Sequence, residues 1–326
     1  MKICNVFHSR DLDGWMSAAI VKKWFLETNE NKDHVPFIIN HEEKNTKCRV
    51  VDGINLDMLG WDYGDKIPDL SEYDKVIMCD ISFPVEKMKA LQKRLQDNFI
   101  WIDHHISAIN DLNNYLPQGY LFPQGLRDPE FAACELTWKY FFLNEEMPEI
   151  VRLLGRYDCF GHKGTDEEQK VLEFQYGARQ LMANYEDCYK VLVDFNNINT
   201  YKSILYSGKS IYQYLCTEAK QIYKKAFEIK LREPNCKIAI DEVLKFLCVN
   251  QERFNPINFG IDYHKDGYDG FACFWYKDGK WMWSLYNDNG EIDCSIIAKS
   301  YGGGGHKGAS GFVCDSSVML KIINNG

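Results

Sequence analysis

Asp103, His104 and His105 follow directly on an apolar run, Phe99 to Ile102. Two other apolar runs in the first half of the chain stop in the same manner. KICNVF (2–7) runs into His8, then Asp11 and Asp13 within HSRDLDG; KVIMC (75–79) runs into Asp80. A further acidic residue, Asp158 in GRYDCFGH, follows a helical pattern. Carboxylates crowded together repel one another, so they must take up protons or bind cations. Histidines set among aspartates make a mixed nitrogen and oxygen ligand set, which suits Mn²⁺ and other first-row ions better than Ca²⁺. There are enough such residues for two metals about 3.5–4 Å apart, an arrangement that clamps attacking and leaving oxygens in phosphoryl chemistry. Taken singly, each piece has an ordinary role: HSRDLDG can be a turn, Asp80 a helix N-cap, Asp158 a surface residue. Their occurrence together, at matching points of the pattern, favours a reaction centre.

The elements that would position these residues can be read from periodicity. KICNVF (2–7), VPFIIN (35–40), KVIMCD (75–80) and FIWID (99–103) read as strands. A helical stripe through Met16, Ile20 and Trp24 and a second helix from Val85 to about Asn98 lie between them. Strands that are apolar throughout and alternate with helices predict a parallel α/β sheet covered on both faces. The carboxyl ends of such strands share one edge, where ligands bind. Residues 129–154 read as mostly helical, ending near Gly155, and 165–232 as helices that include a connector. The second domain reads as strands first: CKIAI (236–240), then GFACFWYK (270–277) and KWMWSLYN (280–287) flanking the hairpin signal Asp278-Gly279. A helix (SIIAKSY, 295–301) and a glycine run close the chain. The expected fold is therefore a parallel-sheet α/β domain with helices on both faces, a connector, and a smaller C-terminal α/β domain. The division falls at 1–195, 196–234 and 235–326.

Successive glycines in GGGGHKGASG (302–311) let backbone N–H groups converge on an anion, and His306 and Lys307 add charge. Gly303, Gly304, Gly305, His306 and Lys307 are thus the candidate substrate-binding residues. The aromatics of this region (Phe271, Phe274, Trp275, Tyr276, Trp281, Trp283, Tyr286) read mainly as a sheet core with cross-strand pairs. His41, His162 and His264 stand outside any such pattern and read as ordinary histidines.

Composition narrows the class. The 326 residues are 45% apolar and 26% charged, with no stretch approaching the roughly 20 apolar residues that span a bilayer. The N-terminus has no signal-like apolar core. Twelve cysteines are scattered singly with no C-x-x-C pair, as reduced thiols of a cytoplasmic protein would be. A net charge of −9 opposes a long basic track for duplex nucleic acid and favours a small substrate.

HSRDLDG, CDIS, IDHHIS and GRYDCF, in that order, resemble the four motifs of the DHH phosphoesterase superfamily, and DCSIIAKSYGGGGHKGASGF is similar to the glycine-rich signature of its DHHA1 domain. Among the relatives in that superfamily are the nanoRNases, short-RNA exonucleases that also dephosphorylate 3′,5′-bisphosphoadenosine, which the chain resembles. The first motif departs from their pattern, with DLDGWMS where a PDGDAxGS-like run is common, and keeps both aspartates. Carried over by position, the resemblance implies one Mn²⁺ on His8, Asp11 and Asp80. It implies a second on Asp13, Asp80, His104 and Asp158, with Asp80 bridging; another divalent ion could replace either. Metal-activated water would attack phosphorus, His105 would act as acid or charge stabiliser, and Asp103 would orient the histidines. The glycine loop would grip the nucleotide across a cleft from the metals. The implied substrate is a small nucleotide or short single-stranded oligonucleotide, cleaved to mononucleotides by a monomer or homodimer. Hydrolysis of cyclic dinucleotides or bisphosphonucleotides, and a non-catalytic nucleotide sensor, are the alternatives.

Overall fold

The computed structural model describes residues 1–28, 45–49, 54–115, 122–194, 198–232, 243–305 and 307–324. The strands expected at 35–40 and 236–240, together with His41 and His306, lie outside them. The chain divides into two compact units, Met1–Ile211 and Tyr212–Gly326.

In the first unit the strands are β1 (Lys2–His8), β2 (Asn45–Arg49), β3 (Asn55–Trp61), β4 (Lys75–Cys79) and β5 (Phe99–Ile102). The helices are α1 (Leu12–Thr28), α2 (Val85–Leu95), α3 (Ile106–Tyr115), α4 (Ala133–Phe141), α5 (Glu149–Asp158), α6 (Glu168–Leu181) and α7 (Tyr185–Val193). α8 (Ile198–Tyr223) begins in this unit and ends in the second. The sheet order is β2-β3-β1-β4-β5; β3, β1, β4 and β5 are parallel, and β2 pairs antiparallel on the edge.

The continuous apolar runs are explained by burial on both faces. Ile3, Phe7, Ile77, Cys79, Ile100 and Ile102 pack under α1 and α4, against Ala18, Val21, Phe25 and Leu136. The alternate residues Cys4, Val6, Val76, Met78, Phe99 and Trp101 face Met88 and Leu95 of α2 and Leu112 of α3. β3 is a strand that the apolar runs do not predict. Leu56 and Met58 are buried while Asn55, Asp57 and Leu59 are only partly so, an alternation that the continuously buried β1 lacks. Two helical expectations also need correction. α5 continues through Asp158 rather than ending near Gly155, since the Cys159 N–H still bonds to the Gly155 carbonyl. Residues 227–232, expected to be helical, are a strand, because Ile229 and Leu231 alternate with Glu228 and Lys230 and bury their side chains.

The second unit holds β6 (Phe227–Arg232), β7 (Val243–Asn250), β8 (Gly270–Lys277), β9 (Lys280–Tyr286), α9 (Cys294–Ser300), β10 (Gly304–Gly305), β11 (Ala309–Cys314) and α10 (Ser316–Asn324). Its sheet order is β10-β11-β9-β8-β7-β6, antiparallel except for the β7–β8 pair. The β8–β9 hairpin closes on Asp278 and Gly279, with φ of 50° and 82°, both left-handed as a two-residue turn of this hand requires. Phe274, Trp283 and Phe312 pack on one face of this sheet, with α9 and α10, and Phe271 and Tyr263 on the other. Most of the aromatics are therefore core. Tyr276, at 59% exposure, is the one most open to solvent.

Candidate metal centre

Four loops leave the carboxyl edge of the first sheet, and the candidate ligands sit on them or beside them. β1 ends at His8 and α1 begins four residues later, a turn made possible by Gly14: a Cβ there would overlap the His8 carbonyl oxygen. Within that turn the Gly14 N–H donates to Asp11 Oδ1 at 3.0 Å, which fixes the Asp11 carboxylate. Asp13 lies in the first turn of α1 and is almost fully buried. Its two oxygens accept the N–H groups of Ala133 and Cys134, at 2.9 and 2.8 Å, and so cap the N-terminus of α4.

Asp80 stands where β4 leaves the sheet, with φ of 62°, and its N–H donates to the Ile102 carbonyl at 2.9 Å. Aspartate is among the few residues that tolerate this left-handed geometry. Its carboxylate is 1% exposed and lies between the histidines: Oδ2 is 3.3 Å from His8 Nδ1, and Oδ1 is 3.4 Å from His104 Nε2 and 3.9 Å from His105 Nδ1. His8 Nδ1 is also 2.8 Å from Asp11 Oδ2. His104 Nε2 is 3.3 Å from Asp158 Oδ2 and 3.7 Å from Asp13 Oδ2. Donor atoms of His8, Asp11 and Asp80 lie within 4.8 Å of one another, as do those of Asp13, His104 and Asp158, and those of Asp80, His104 and His105.

Asp103 faces elsewhere. Fully buried, it accepts the N–H groups of His104 and His105 on Oδ1 (2.8 and 3.1 Å), with His105 Nδ1 on the same oxygen at 2.8 Å. The Trp101 indole donates to Oδ2 at 3.2 Å. With every bond turned inward, Asp103 fixes the rotamer of His105 and leaves Nε2 as the ring nitrogen able to meet another molecule.

The electrostatics of the cluster run in one direction. Burial, then the charge of Asp80, pushes Asp13 up to about 7; burial, then the charge of Asp13, does the same to Asp158. Asp80 is also raised, by burial first. Burial alone would lower the histidines, but Asp11 and Asp80 reverse this for His8, which reaches about 11, and Asp80 and Asp13 for His104, which reaches about 10. Without a cation the cluster therefore gathers protons. His8 Nδ1 and Asp80 Oδ1 are buried, and the carboxylate and imidazole atoms beside them are not oriented to complete a hydrogen bond. A carboxylate oxygen and an imidazole nitrogen so placed in one cluster fit divalent cations, which these donor types bind well.

Two residues of this edge carried no signal in the sequence. Asp62 follows β3, accepts from Arg10 Nε at 2.6 Å, and stands 3.5 Å from His8 Nε2. Tyr63 lies beside it, its ring 6.5 Å from that of His8. Trp61-Asp62 repeats the pattern of an apolar strand ending at an aspartate, and is legible only once β3 is recognised. In the second unit, Gly304 and Gly305 pair with Gly311 and Ser310 as β10, and a Cβ on Gly303 would overlap the Gly311 carbonyl oxygen. The glycines thus lay one strand against another. Lys307 is exposed, its carbonyl accepting the Cys294 N–H at 2.9 Å, and His306 falls outside the described residues.

No described helix is long and apolar enough to cross a membrane. Uncharacterized protein R106 of Acanthamoeba polyphaga mimivirus is 24% identical over 318 residues, covering 94% of this chain and 66% of that protein, so the chain spans about two thirds of the relative's length. Among solved structures, the pGpG-specific phosphodiesterase PggH from Vibrio cholerae is 13% identical, with 100% of this chain and 99% of that one covered and a TM-score of 0.44. An exopolyphosphatase-related protein from Bacteroides fragilis is also 13% identical, with 99% and 90% covered and a TM-score of 0.44. Residues 2–154, which carry every candidate ligand except Asp158, match the family model described as DHH family, N-terminal domain.

Proposed function

We propose that this chain is a Mn²⁺-dependent phosphoesterase that hydrolyses short oligonucleotides or small nucleotides to mononucleotides. The observation that carries the proposal is Asp80. It is a buried carboxylate between two groups of donors, with one oxygen toward each histidine and one of them unpartnered. His8, Asp11 and Asp80 would hold one ion; Asp13, His104 and Asp158, with Asp80 shared, would hold the other. Bound there, the ions would polarise a phosphoryl oxygen and activate water for attack on phosphorus.

The remaining work falls to the chain. Burial lowers the His105 pKa, but the Asp103 hydrogen bond outweighs it and the net shift is upward, which favours the imidazolium over the neutral ring. Its Nε2–H then stabilises charge on the phosphoryl group or protonates the departing oxygen. Asp103 keeps that ring in place. Gly303, Gly304, Gly305, His306 and Lys307 are assigned to the substrate's phosphate, with the second unit as a DHHA1 substrate-binding domain. Cys4, Cys79, Cys134, Cys159, Cys188, Cys216, Cys248, Cys273, Cys294 and Cys314 are free thiols, in keeping with a reducing, cytoplasmic setting.

The test is release of AMP from the 5′-phosphorylated dinucleotide pApA in the presence of Mn²⁺, comparing wild type with His104→Ala. AMP formation that disappears in the variant is the expected result. Absence of turnover by wild type with Mn²⁺ demonstrably bound would remove the short-oligonucleotide assignment and bring cyclic dinucleotides and bisphosphonucleotides forward.

A further inference from the structure

Beside the metal centre, the segments that follow β3 and β4, with the start of α3, enclose a recess of about 420 Å³. It lies wholly within the first unit and shares walls with the centre. Ser82 stands two residues past Asp80, Ser107 two past His105, and Trp101, whose indole bonds Asp103, lies between. None of the lining residues is a candidate metal ligand.

The lining has a distinct chemistry. Trp61 meets Tyr63 and Phe83 edge to face, with ring centres 5.6 and 4.9 Å apart. Tyr63 is nonetheless 54% exposed, unusual for an aromatic packed against a tryptophan at the rim of a polar centre. Among the described residues, the charged side chains of the lining are Asp65 and Asp111, and no lysine or arginine joins them. Asp65 already accepts the Asp62 N–H at 3.2 Å, whereas Asp111 is exposed on α3. A phosphate would be repelled here. A flat neutral ring with N–H donors at its edge would not. The volume lies at the small end of the roughly 300–1,000 Å³ typical of ligand pockets, enough for one nucleoside-sized group.

We propose that this recess receives one nucleobase of the substrate, stacked on Tyr63, and favours bases that carry an exocyclic amino group over uracil. The inference rests on the nucleotide-hydrolase reading above. Every base offers a face for stacking, which makes Tyr63 the source of affinity. Carboxylates only accept hydrogen bonds, so Asp111 is the source of preference: adenine, guanine and cytosine present amino donors that uracil lacks. Recess and metal centre share one sheet edge, so a base held in the first would place its 5′- or 3′-phosphate near the second.

The experiment measures kcat and KM for pApA and pUpU with wild type, Tyr63→Ala, Tyr63→Phe and Asp111→Asn. Calorimetric titrations with AMP, UMP and ribose 5-phosphate accompany the kinetics. Tyr63→Ala is expected to raise KM for pApA roughly ten-fold, within the range of base–aromatic stacking, while kcat moves less. Tyr63→Phe should restore KM, and Asp111→Asn should narrow the preference for pApA over pUpU several-fold. AMP should bind wild type more tightly than ribose 5-phosphate, with the gap closing in Tyr63→Ala. A KM in Tyr63→Ala within two-fold of wild type would overturn the proposal. So would a phenylalanine variant as impaired as the alanine one, or equal affinity for AMP and ribose 5-phosphate. A wild type that cleaves pyrophosphate but neither cleaves nor binds any nucleotide removes the nucleotide-hydrolase reading itself, a result distinct from loss of the recess alone.

Discussion

Carboxylates are buried in two places in the first unit, and their surroundings differ in one respect. Where α4 meets α5, Glu135 is covered yet complete: Arg156 Nη2 donates to it at 2.5 Å and Nε at 3.2 Å, and the Ala132 N–H at 3.1 Å. Gly155 leaves room for it, since a Cβ there would overlap the glutamate. At the sheet edge, Asp13 and Asp80 are as deeply covered but face histidines and each other, with no lysine or arginine among the charges that shift them. The first cluster carries its countercharge in the chain; the second must obtain it from outside. A buried charge without a fixed partner is costly to keep. Its retention beside histidines makes this edge the candidate place for a bound cation.

Substitutions can break this contrast from either side. Asp80→Ala removes the one carboxylate that faces both donor groups. It should lower kcat by at least roughly a thousand-fold and reduce Mn²⁺ stoichiometry, read by steady-state assay and elemental analysis of the purified protein. Arg156→Leu strands Glu135 and should cost about 3 kcal/mol of folding stability in urea titration, whereas the double variant with Glu135→Leu should be less destabilised than the single one. The opposite outcome, a harmless Arg156→Leu, would mean that the two clusters do not differ as described.

The third prediction concerns pH. In the metal-free protein Asp13 and Asp158 hold protons up to about pH 7, far above unfolded aspartate near 3.9. The native state therefore binds more protons than the unfolded state between about pH 4 and 7, and stability falls as pH rises through that window. His8 and His104 extend the trend. Their contribution is complete below about pH 6.5 and is lost as pH climbs toward 10 to 11. Thermal melts with a chelator should thus show higher Tm at pH 5 than at pH 7.5. With Mn²⁺ the order should reverse, since protons and cation compete for the same atoms, and affinity should rise about ten-fold per pH unit for each proton displaced. A chelated protein whose Tm climbs over this range would contradict the assignment of buried, proton-loaded aspartates.

Much of the first centre was visible in the chain because the physics is local. His8, Asp80 and Asp103 each follow a mostly apolar run without two-residue alternation, as strands covered on both faces have. Parallel pairing then gathers their ends. Asp62 escaped notice because β3 alternates and is interrupted by Gly60. β6 was missed for a related reason: FEIKLR is rich in charge, and its period of two was masked by the helical segment before it. The glycine run shows a different limit. Composition pointed to an anion cradle but not to the close pairing of Gly304 and Gly305 with Gly311 and Ser310, which depends on the neighbouring strand.

The bonds from Asp13 to the amides of Ala133 and Cys134 have a consequence for genetics. That carboxylate is a candidate ligand and also the fastening between α1 and α4, so an allele that replaces it should deplete the protein as well as silence it. Asp158, at the C-terminal end of α5, faces His104 and accepts no backbone N–H from another described helix. An Asp158→Asn allele should leave a full-length, abundant and inert product, the kind that occupies substrate without releasing it and behaves as a dominant rather than a recessive lesion.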